Sequence, residues 1–449
     1  VGDGAVGAKK FICFRKTSGY PVVEYIGIWS LLTMQVGLKC TLSDAHIDAT
    51  QGNSQRQVSI AVSAIPDQVG RSVPLNLCLV LDQSGSMDGR SLETVKAAAR
   101  RIIEGLSPGD RISIVTFNHK AKVLLPNQVI DSIDNLRIPL HSLEAGGGTA
   151  IDEGLKLALE ESAKGKKDAI SQIFLLTDGE NEHGDNDRCL KLAQVGVGYG
   201  LTINSLGFGS AWNQNVLERI ADAGGGALSY IEQPDQATTE FGRLFDRVQS
   251  VGLTNAFLTL NLSPGARLAE FKPIAQVAPD TIELPVQQQG NQIVVRLGDL
   301  MTDAPRVILA NVYVNQLPEG KNTIASVQVR YDDPAKGQTD LLSEFYPVEV
   351  AAMNAYQPLV NPDVQNHILA LAKYRQTQIA ENKLQQGDRV GAATMLQTAA
   401  KTALQMGDQS AATVLQVNAT RLQSGETLSE ADQKKTRLVS KTILQSGDG

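Results

Sequence analysis

The sequence predicts a doubly wound α/β domain with a mainly parallel sheet, inserted in an antiparallel β-sandwich and followed by a C-terminal α-helical region. Three observations predict it. Residues 75–250 alternate short apolar runs with helical patterns, the order that builds a parallel sheet covered by helices on both faces. Residues 55–65 and the runs after 250 instead have a period of two, the mark of strands with one buried face. From about 354 onward strand signals vanish and apolar residues recur at helical spacing.

The insertion follows from pairing. Val58, Ile60 and Val62 alternate with Ser59, Ala61 and Ser63, which reads as an antiparallel strand. A lone strand is not stable. Its natural partners lie after residue 250, so the sandwich begins before the α/β domain and finishes after it. The expected boundaries are 34–74 and 251–352 for the sandwich, 75–250 for the α/β domain and 353–449 for the helical region. Residues 1–33 lack clear periodicity and are set apart as an N-terminal extension, with Met34 as the candidate natural start.

Within 75–250, Leu75 to Leu81 is a run apolar enough for a strand buried on both faces. Leu92, Val95, Ala99, Ile102 and Leu106 give a helix, with Ser91 as its expected N-cap. Arg111 to Phe117 is a strand, followed by a polar loop that leads to Ala145-Gly-Gly-Gly-Thr149. A helix with Ile151, Leu155 and Ala158 on one face comes next, then the strand 172–178. Leu190 to Tyr199 reads as helix, Leu201 to Gly207 as strand and Asn213 to Ala223 as helix. Gly224-Gly-Gly226 breaks that helix before a short strand at 227–231. The last helix, 236–249, carries Phe241, Leu244, Phe245 and Val248 on one stripe.

After 250 the alternating sets are Ala256 to Leu262, Ile293 to Leu297, Ile308 to Val314 and Ala325 to Tyr331. In the helical region, Gln386-Gly-Asp388 and Met406-Gly-Asp408 punctuate the pattern as two weak copies. Two copies are too few for a solenoid, so a helical hairpin or small bundle is expected.

Composition excludes several classes. With 42% hydrophobic and 20% charged residues the chain is an ordinary globular protein. A net charge of −7 argues against a nucleic-acid protein. The four cysteines, Cys13, Cys40, Cys78 and Cys189, form no CxxC pair, so neither a disulfide framework nor a zinc site is expected. A reducing, cytoplasmic compartment is therefore expected, with secretion or a cell-surface location as the alternative. The uncharged stretch Tyr25 to Leu38 is too short to span a bilayer. As a signal-peptide core it has Glu24 at its edge and no small-residue cleavage site behind it.

Three loops at the same end of the predicted sheet carry oxygen donors: Asp82-Gln-Ser84-Gly-Ser86, then Thr149 after the glycine run, then Thr177-Asp178-Gly179-Glu180. Each has a plain reading. Serines and threonines before helices are usually N-caps, and Asp-Gly is usually a turn. Together, each after a strand or before a helix, they point to a ligand site at the carboxyl ends of the strands. Carboxylates and hydroxyls are hard donors that suit Mg²⁺ or Mn²⁺ rather than zinc. No lysine follows the glycines at phosphate-loop spacing. His46, His119, His141, His183 and His367 form no zinc motif, and none stands at a spacing that would make a hydrolase triad with the serines. His183, and the acidic run Glu180, Glu182, Asp185 and Asp187, read as a solvated rim.

The series Asp82-x-Ser84-x-Ser86, Gly148-Thr149 and Thr177-Asp178-Gly179 resembles the metal-ion-dependent adhesion site of von Willebrand factor type A (vWA) domains, over roughly residues 75–250. The resemblance implies that Asp82, Ser84, Ser86, Thr149 and Asp178 hold a divalent ion, usually Mg²⁺, with Mn²⁺ or Ca²⁺ as alternatives. It implies direct ligation by the hydroxyls and ligation of the two aspartates partly through water. It further implies a non-enzymatic, adaptor-like bacterial protein that binds an Asp or Glu carboxylate of a protein partner. The alternatives are a surface adhesin using the same site and a metal-dependent hydrolase. The arrangement is similar to integrin β subunits, which makes the helix 236–249 a candidate switch element. The C-terminal helices are candidates for oligomerisation. No nucleic acid and no membrane span is expected.

Overall fold

The structure is a computed structural model that describes residues 35–65, 73–131, 140–209, 212–231 and 234–441. Expectations for residues 1–34, including the extension, the Met34 start and Cys13, lie outside the described residues.

The chain opens with β1 (Gln35–Leu42), the short β2 (His46–Asp48) and the long β3 (Asn53–Ile65). β1 and β3 pair antiparallel, with Cys40 opposite Ile60. Val58, Ile60 and Val62 are fully buried, as their alternation requires.

The α/β domain follows. Its strands are β4 (Leu75–Asp82), β5 (Arg111–Phe117), β6 (Ala121–Val129), β7 (Ile170–Thr177), β8 (Thr202–Phe208) and β9 (Gly225–Ile231). Its helices are α1 (Arg90–Glu104), α2 (Ile151–Lys164), α3 (Asn186–Gly198), α4 (Gln214–Ala223) and α5 (Pro234–Gln249). The sheet order is β6-β5-β4-β7-β8-β9, parallel except for β6. Every residue of β4 is buried because helices cover both faces. Leu77, Leu79 and Leu81 face the core shared with α1 and α5. Cys78 and Val80 face the core shared with α2, α3 and α4.

Several local expectations are corrected. β6 is a hairpin strand inside the stretch expected to be a polar loop; its exposed Lys122 and Gln128, and an Asn127 that turns inward to Asn76, hid a half-buried edge strand. α3 begins at Asn186, not Leu190, because Asp185 caps it by accepting from the Asp187 and Arg188 amides. β9 begins at Gly225, so two of the three glycines belong to the strand. Ser91 is not an N-cap: Gly89 holds that position, and Ser91 lies in the first turn of α1.

The chain then returns to the sandwich through β10 (Val251–Leu262), β11 (Ala266–Leu268), β12 (Ile274–Ala278), β13 (Ile282–Glu283), β14 (Gln287–Gln289), β15 (Gln292–Met301), β16 (Arg306–Asn315), β17 (Gly320–Asp333), β18 (Gln338–Leu342) and β19 (Tyr346–Met353). One sheet runs β1-β3-β16-β12-β13, with β11 beside β16. The other runs β14-β15-β10-β17-β19-β2, with β18 beside β17. β3 therefore sits between β1 and β16, with Ile60 facing Ile308 across 248 residues of chain register. The inner faces of both sheets form one apolar core. The insertion of an α/β unit into a sandwich is thus the observed topology.

Four helices close the chain: α6 (Pro362–Gln385), α7 (Arg389–Gln405), α8 (Gln409–Gln423) and α9 (Glu430–Lys441). Asp388 and Asp408 cap α7 and α8 in the same backbone geometry. Each follows a glycine with φ near +80°, Gly387 and Gly407, a conformation that costs other residues strain. The two Gly-Asp copies are thus one repeated turn. Alanines dominate the core of these helices, which lets them pack closely. α6 lays Val364, Leu371 and Tyr374 on the outer face of β12 and β16. Among the described residues no helix is long and apolar enough to cross a membrane.

Candidate metal centre

The carboxyl ends of β4 and β7 lie side by side, because the two strands pair in register from Leu75 with Ile170 to Leu81 with Leu176. Asp82 ends β4 and is fully buried. Its Oδ1 accepts the Ser84 N–H at 2.7 Å, and its Oδ2 accepts the Thr177 hydroxyl at 2.5 Å. Ser84 then opens a short 3₁₀ turn (Gly85–Met87) but does not cap it with its side chain. Its hydroxyl lies 3.0 Å from that of Ser86, which donates to Asp178 Oδ1 at 2.7 Å. A hydrogen-bonded chain of oxygens therefore runs from β4 to the loop after β7.

The glycine run closes on this chain. The Gly85 N–H donates to the Gly147 carbonyl at 2.8 Å, and the Gly146 N–H to the Gln83 carbonyl at 2.8 Å. Thr149 is brought against Gly179: a Cβ there would lie 3.2 Å from Thr149 Oγ1 and 3.3 Å from Ser86 Oγ. All five residues expected at the site converge. Ser86 is exposed, while Asp82, Ser84, Thr149 and Asp178 are buried, so the cluster opens at one point.

Thr149 does not cap α2. The N-cap position is Ala150, without a side-chain cap, and the Ile151 N–H is accepted at 2.7 Å by Asn181 from the loop after β7. The Thr149 hydroxyl instead faces the Gly179 turn, beside Ser86. Two further residues escaped the sequence reading, Asn118, which donates to the Gly146 carbonyl at 2.9 Å, and Asn181, while Ser91, expected only as an N-cap, hydrogen-bonds Asp178. Nothing in the periodicity marks them, although each lies within a few residues of a motif position or, for Asn118, just past the end of β5.

The rim is polar. His183 is exposed; its N–H donates to the Thr149 carbonyl at 2.9 Å and its ring lies against Gly148. Glu180, Glu182 and Asp187 are exposed, and Asp185 is taken by its capping role.

Burial holds both carboxylates above their usual range. For Asp82 desolvation outweighs the hydrogen bonds from Thr177 and Ser84 and, with the nearby Asp178 charge, pushes the carboxyl up to about 6. For Asp178 burial likewise outweighs Ser86 and Ser91. Among the described residues neither carboxylate has a lysine or arginine partner. The donor set is therefore two under-compensated carboxylates and three hydroxyls, all hard oxygens, which fits a small divalent cation. Among the described residues no three His, Cys, Asp or Glu side chains group as a metal site; this cluster is built on hydroxyls instead.

With the geometry established, comparison places the chain. A protein from Synechocystis sp., sll0103, is 59% identical over 412 residues, 92% of this chain and 98% of that protein. The chain belongs to the sll0103 family. The family model for the sll0103-like, C-terminal alpha-helical domain matches residues 362–446, and that for the von Willebrand factor type A domain matches 76–243. The α/β unit of this sll0103-family chain is thus a vWA domain. Inter-alpha-trypsin inhibitor heavy chain H4 of Bos taurus is 25% identical over 258 residues, 55% of this chain and 27% of that protein. The structure of a von Willebrand factor type A protein from Catenulispora acidiphila aligns with a TM-score of 0.75 at 18% identity, covering 91% of this chain and 97% of the other. The ArnB paralog VWA2 from Sulfolobus acidocaldarius gives 0.59 at 18%, covering 90% and 98%. At these identities the two structures show a shared fold, with sandwich and helices as well as the vWA domain within the aligned span.

Proposed function

We propose that this chain is a metal-dependent protein-binding module, with Mg²⁺ held by Asp82, Ser84, Ser86, Thr149 and Asp178. The observation that supports it most is the hydroxyl cluster built around two buried carboxylates, neither of which forms an ion pair among the described residues. A vWA domain is an interaction module, and the ion would supply an electrophilic position for an Asp or Glu carboxylate of the partner. The chain's own residues do the rest. Ser84, Ser86 and Thr149 offer neutral oxygens, which leave the ion's charge undiminished. Asp82 is turned toward Thr177 and the Ser84 amide, so its charge acts from behind the hydroxyls. Exposed Ser86 marks the side open to a partner.

Binding is favoured over catalysis because the serine hydroxyls bond each other and Asp178, not a histidine base. An adaptor working in a cytoplasmic assembly is the reading we adopt; a surface adhesin would use the same chemistry. The test is thermal unfolding in Mg²⁺ and in EDTA for wild type and Asp178→Ala, followed by partner capture under the same four conditions. A metal-dependent rise in wild type alone supports the site. An equal response in the variant rules it out. Turnover of a generic phosphate ester, lost in Asp82→Ala, would establish the hydrolase instead.

A further inference from the structure

Between the loops that carry Thr149 and Asp178 stands a buried side chain that belongs to neither ligand set. Asn181 is 9% exposed and lies three residues after Asp178. Its Oδ1 accepts the Ile151 N–H at 2.7 Å. Its Nδ2 donates to Asn186 Oδ1 at 3.0 Å and reaches Cys189 Sγ at 3.7 Å. One amide thus ties the start of α2, the loop after β7 and the start of α3. A second bond runs in parallel, from the His183 N–H to the Thr149 carbonyl at 2.9 Å. Thr149 is therefore held from both sides by the loop that begins at Asp178.

A helix start needs acceptors for its first N–H groups. The usual solution is a Ser, Thr, Asp or Asn at the N-cap itself. Here that position is Ala150, which offers no acceptor, and the acceptor comes from another loop. A local cap would satisfy α2 equally well but would leave the two loops independent. The remote cap fixes their separation. Gly184 closes the arrangement: a Cβ there would lie 2.2 Å from Asn181 Oδ1 and from Asp152 Oδ1, so the turn packs directly on the amide.

We propose that Asn181 is a positioning residue that sets Thr149 relative to Asp178 and so prearranges the candidate metal centre. Its effect on metal affinity rests on the reading of that centre given above; the staple between the loops does not. Outer partners that orient metal ligands typically cost 10- to 100-fold in affinity when removed, so roughly that loss is expected here.

The experiment uses the full chain as wild type, Asn181→Ala, Gly184→Ala and Asp178→Ala. Amide exchange in EDTA is followed in the peptides that contain Ile151 and His183. Asn181→Ala is expected to release both, although the His183 bond to Thr149 is untouched by the substitution. Retained protection at His183 would overturn the staple. Mg²⁺ is then titrated calorimetrically. Asn181→Ala and Gly184→Ala are expected to bind about 10-fold or more weakly, and Asp178→Ala not to bind. A merely structural asparagine would lower the unfolding temperature and leave the affinity of the folded protein unchanged, and that result also overturns the proposal. If wild type itself binds no Mg²⁺, the metal reading falls, while the exchange data alone still decide whether Asn181 positions Thr149.

Discussion

Two clusters of carboxylates in the chain meet their charge in opposite ways. At the carboxyl ends of β4 and β7, Asp82 and Asp178 meet hydroxyls and amides, and burial leaves both carboxyls raised. At the junction of the three domains, Glu218 and Asp222 of α4 pair with Lys441 of α9 at 2.6 and 3.1 Å. Arg437 of α9 pairs with Glu218 at 2.8 Å. Asp280, in the sandwich, pairs with Arg247 of α5 at 3.0 Å, and the next amide, Thr281, donates to the Lys441 carbonyl at 2.9 Å. Burial works against the Asp280 carboxylate, but Arg247, Lys441 and Arg243 outweigh it and hold the group below its usual range. The junction meets its carboxylates with lysine and arginine, although burial still holds Asp222 above its usual range. The vWA cluster meets its own with hydroxyls and amides, and that difference is what the proposed ion would answer.

Breaking each side of this contrast gives measurable effects. The largest is at the junction. Lys441→Met removes the cation that Glu218 and Asp222 share, leaving Glu218, whose side chain is 5% exposed, with Arg437 alone, and should destabilise the chain by about 3 kcal/mol in urea unfolding. At the site, Asp178→Ala should cost little in EDTA, because it removes an under-compensated charge. It should abolish the Mg²⁺-dependent gain, which for wild type at 100 times its dissociation constant is about 2.7 kcal/mol.

The pH response sharpens the same contrast. The folded carboxyl of Asp280 lies below its unfolded value, so its contribution to stability is complete above about pH 4 and is lost as pH falls through the lower folded value. The stability gap between wild type and Arg247→Ala should be full at pH 7 and close under acid conditions. Equal gaps at pH 7 and pH 3 would show that the pair does not act through charge. The smallest effect is steric. Gly179→Ala brings a methyl to 3.2 Å from Thr149 Oγ1 and 3.3 Å from Ser86 Oγ, which should weaken Mg²⁺ binding a few-fold with little change in unfolding temperature.

The outer architecture was legible because its signals are periodic. Leu75 to Leu81 reads as a doubly buried strand and is one; Ala256 to Leu262 reads as alternating and lines the sandwich core. The edge strand β6 was illegible because an edge strand with one covered face carries half the apolar signal of its neighbours. The convergence of Asp82, Ser84, Ser86, Thr149 and Asp178 was legible because three short loops each follow a strand or precede a helix at the same end of the sheet.

The sequence by itself determined the strand–helix alternation of the α/β domain apart from β6, the insertion of one domain in another and the oxygen-rich chemistry of the loops after β4 and β7. These are local properties, set by residues within a few positions of one another. Only the tertiary structure decided that Thr149 does not cap α2 and that Asn181 does so from 30 residues away. Only it decided that Lys441 answers the charge of Asp222 from 219 residues away. Such bonds join residues that share no period and no motif. They exist because packing three sheets and two sets of helices brings buried polar groups together, and each must then find a partner where water cannot follow.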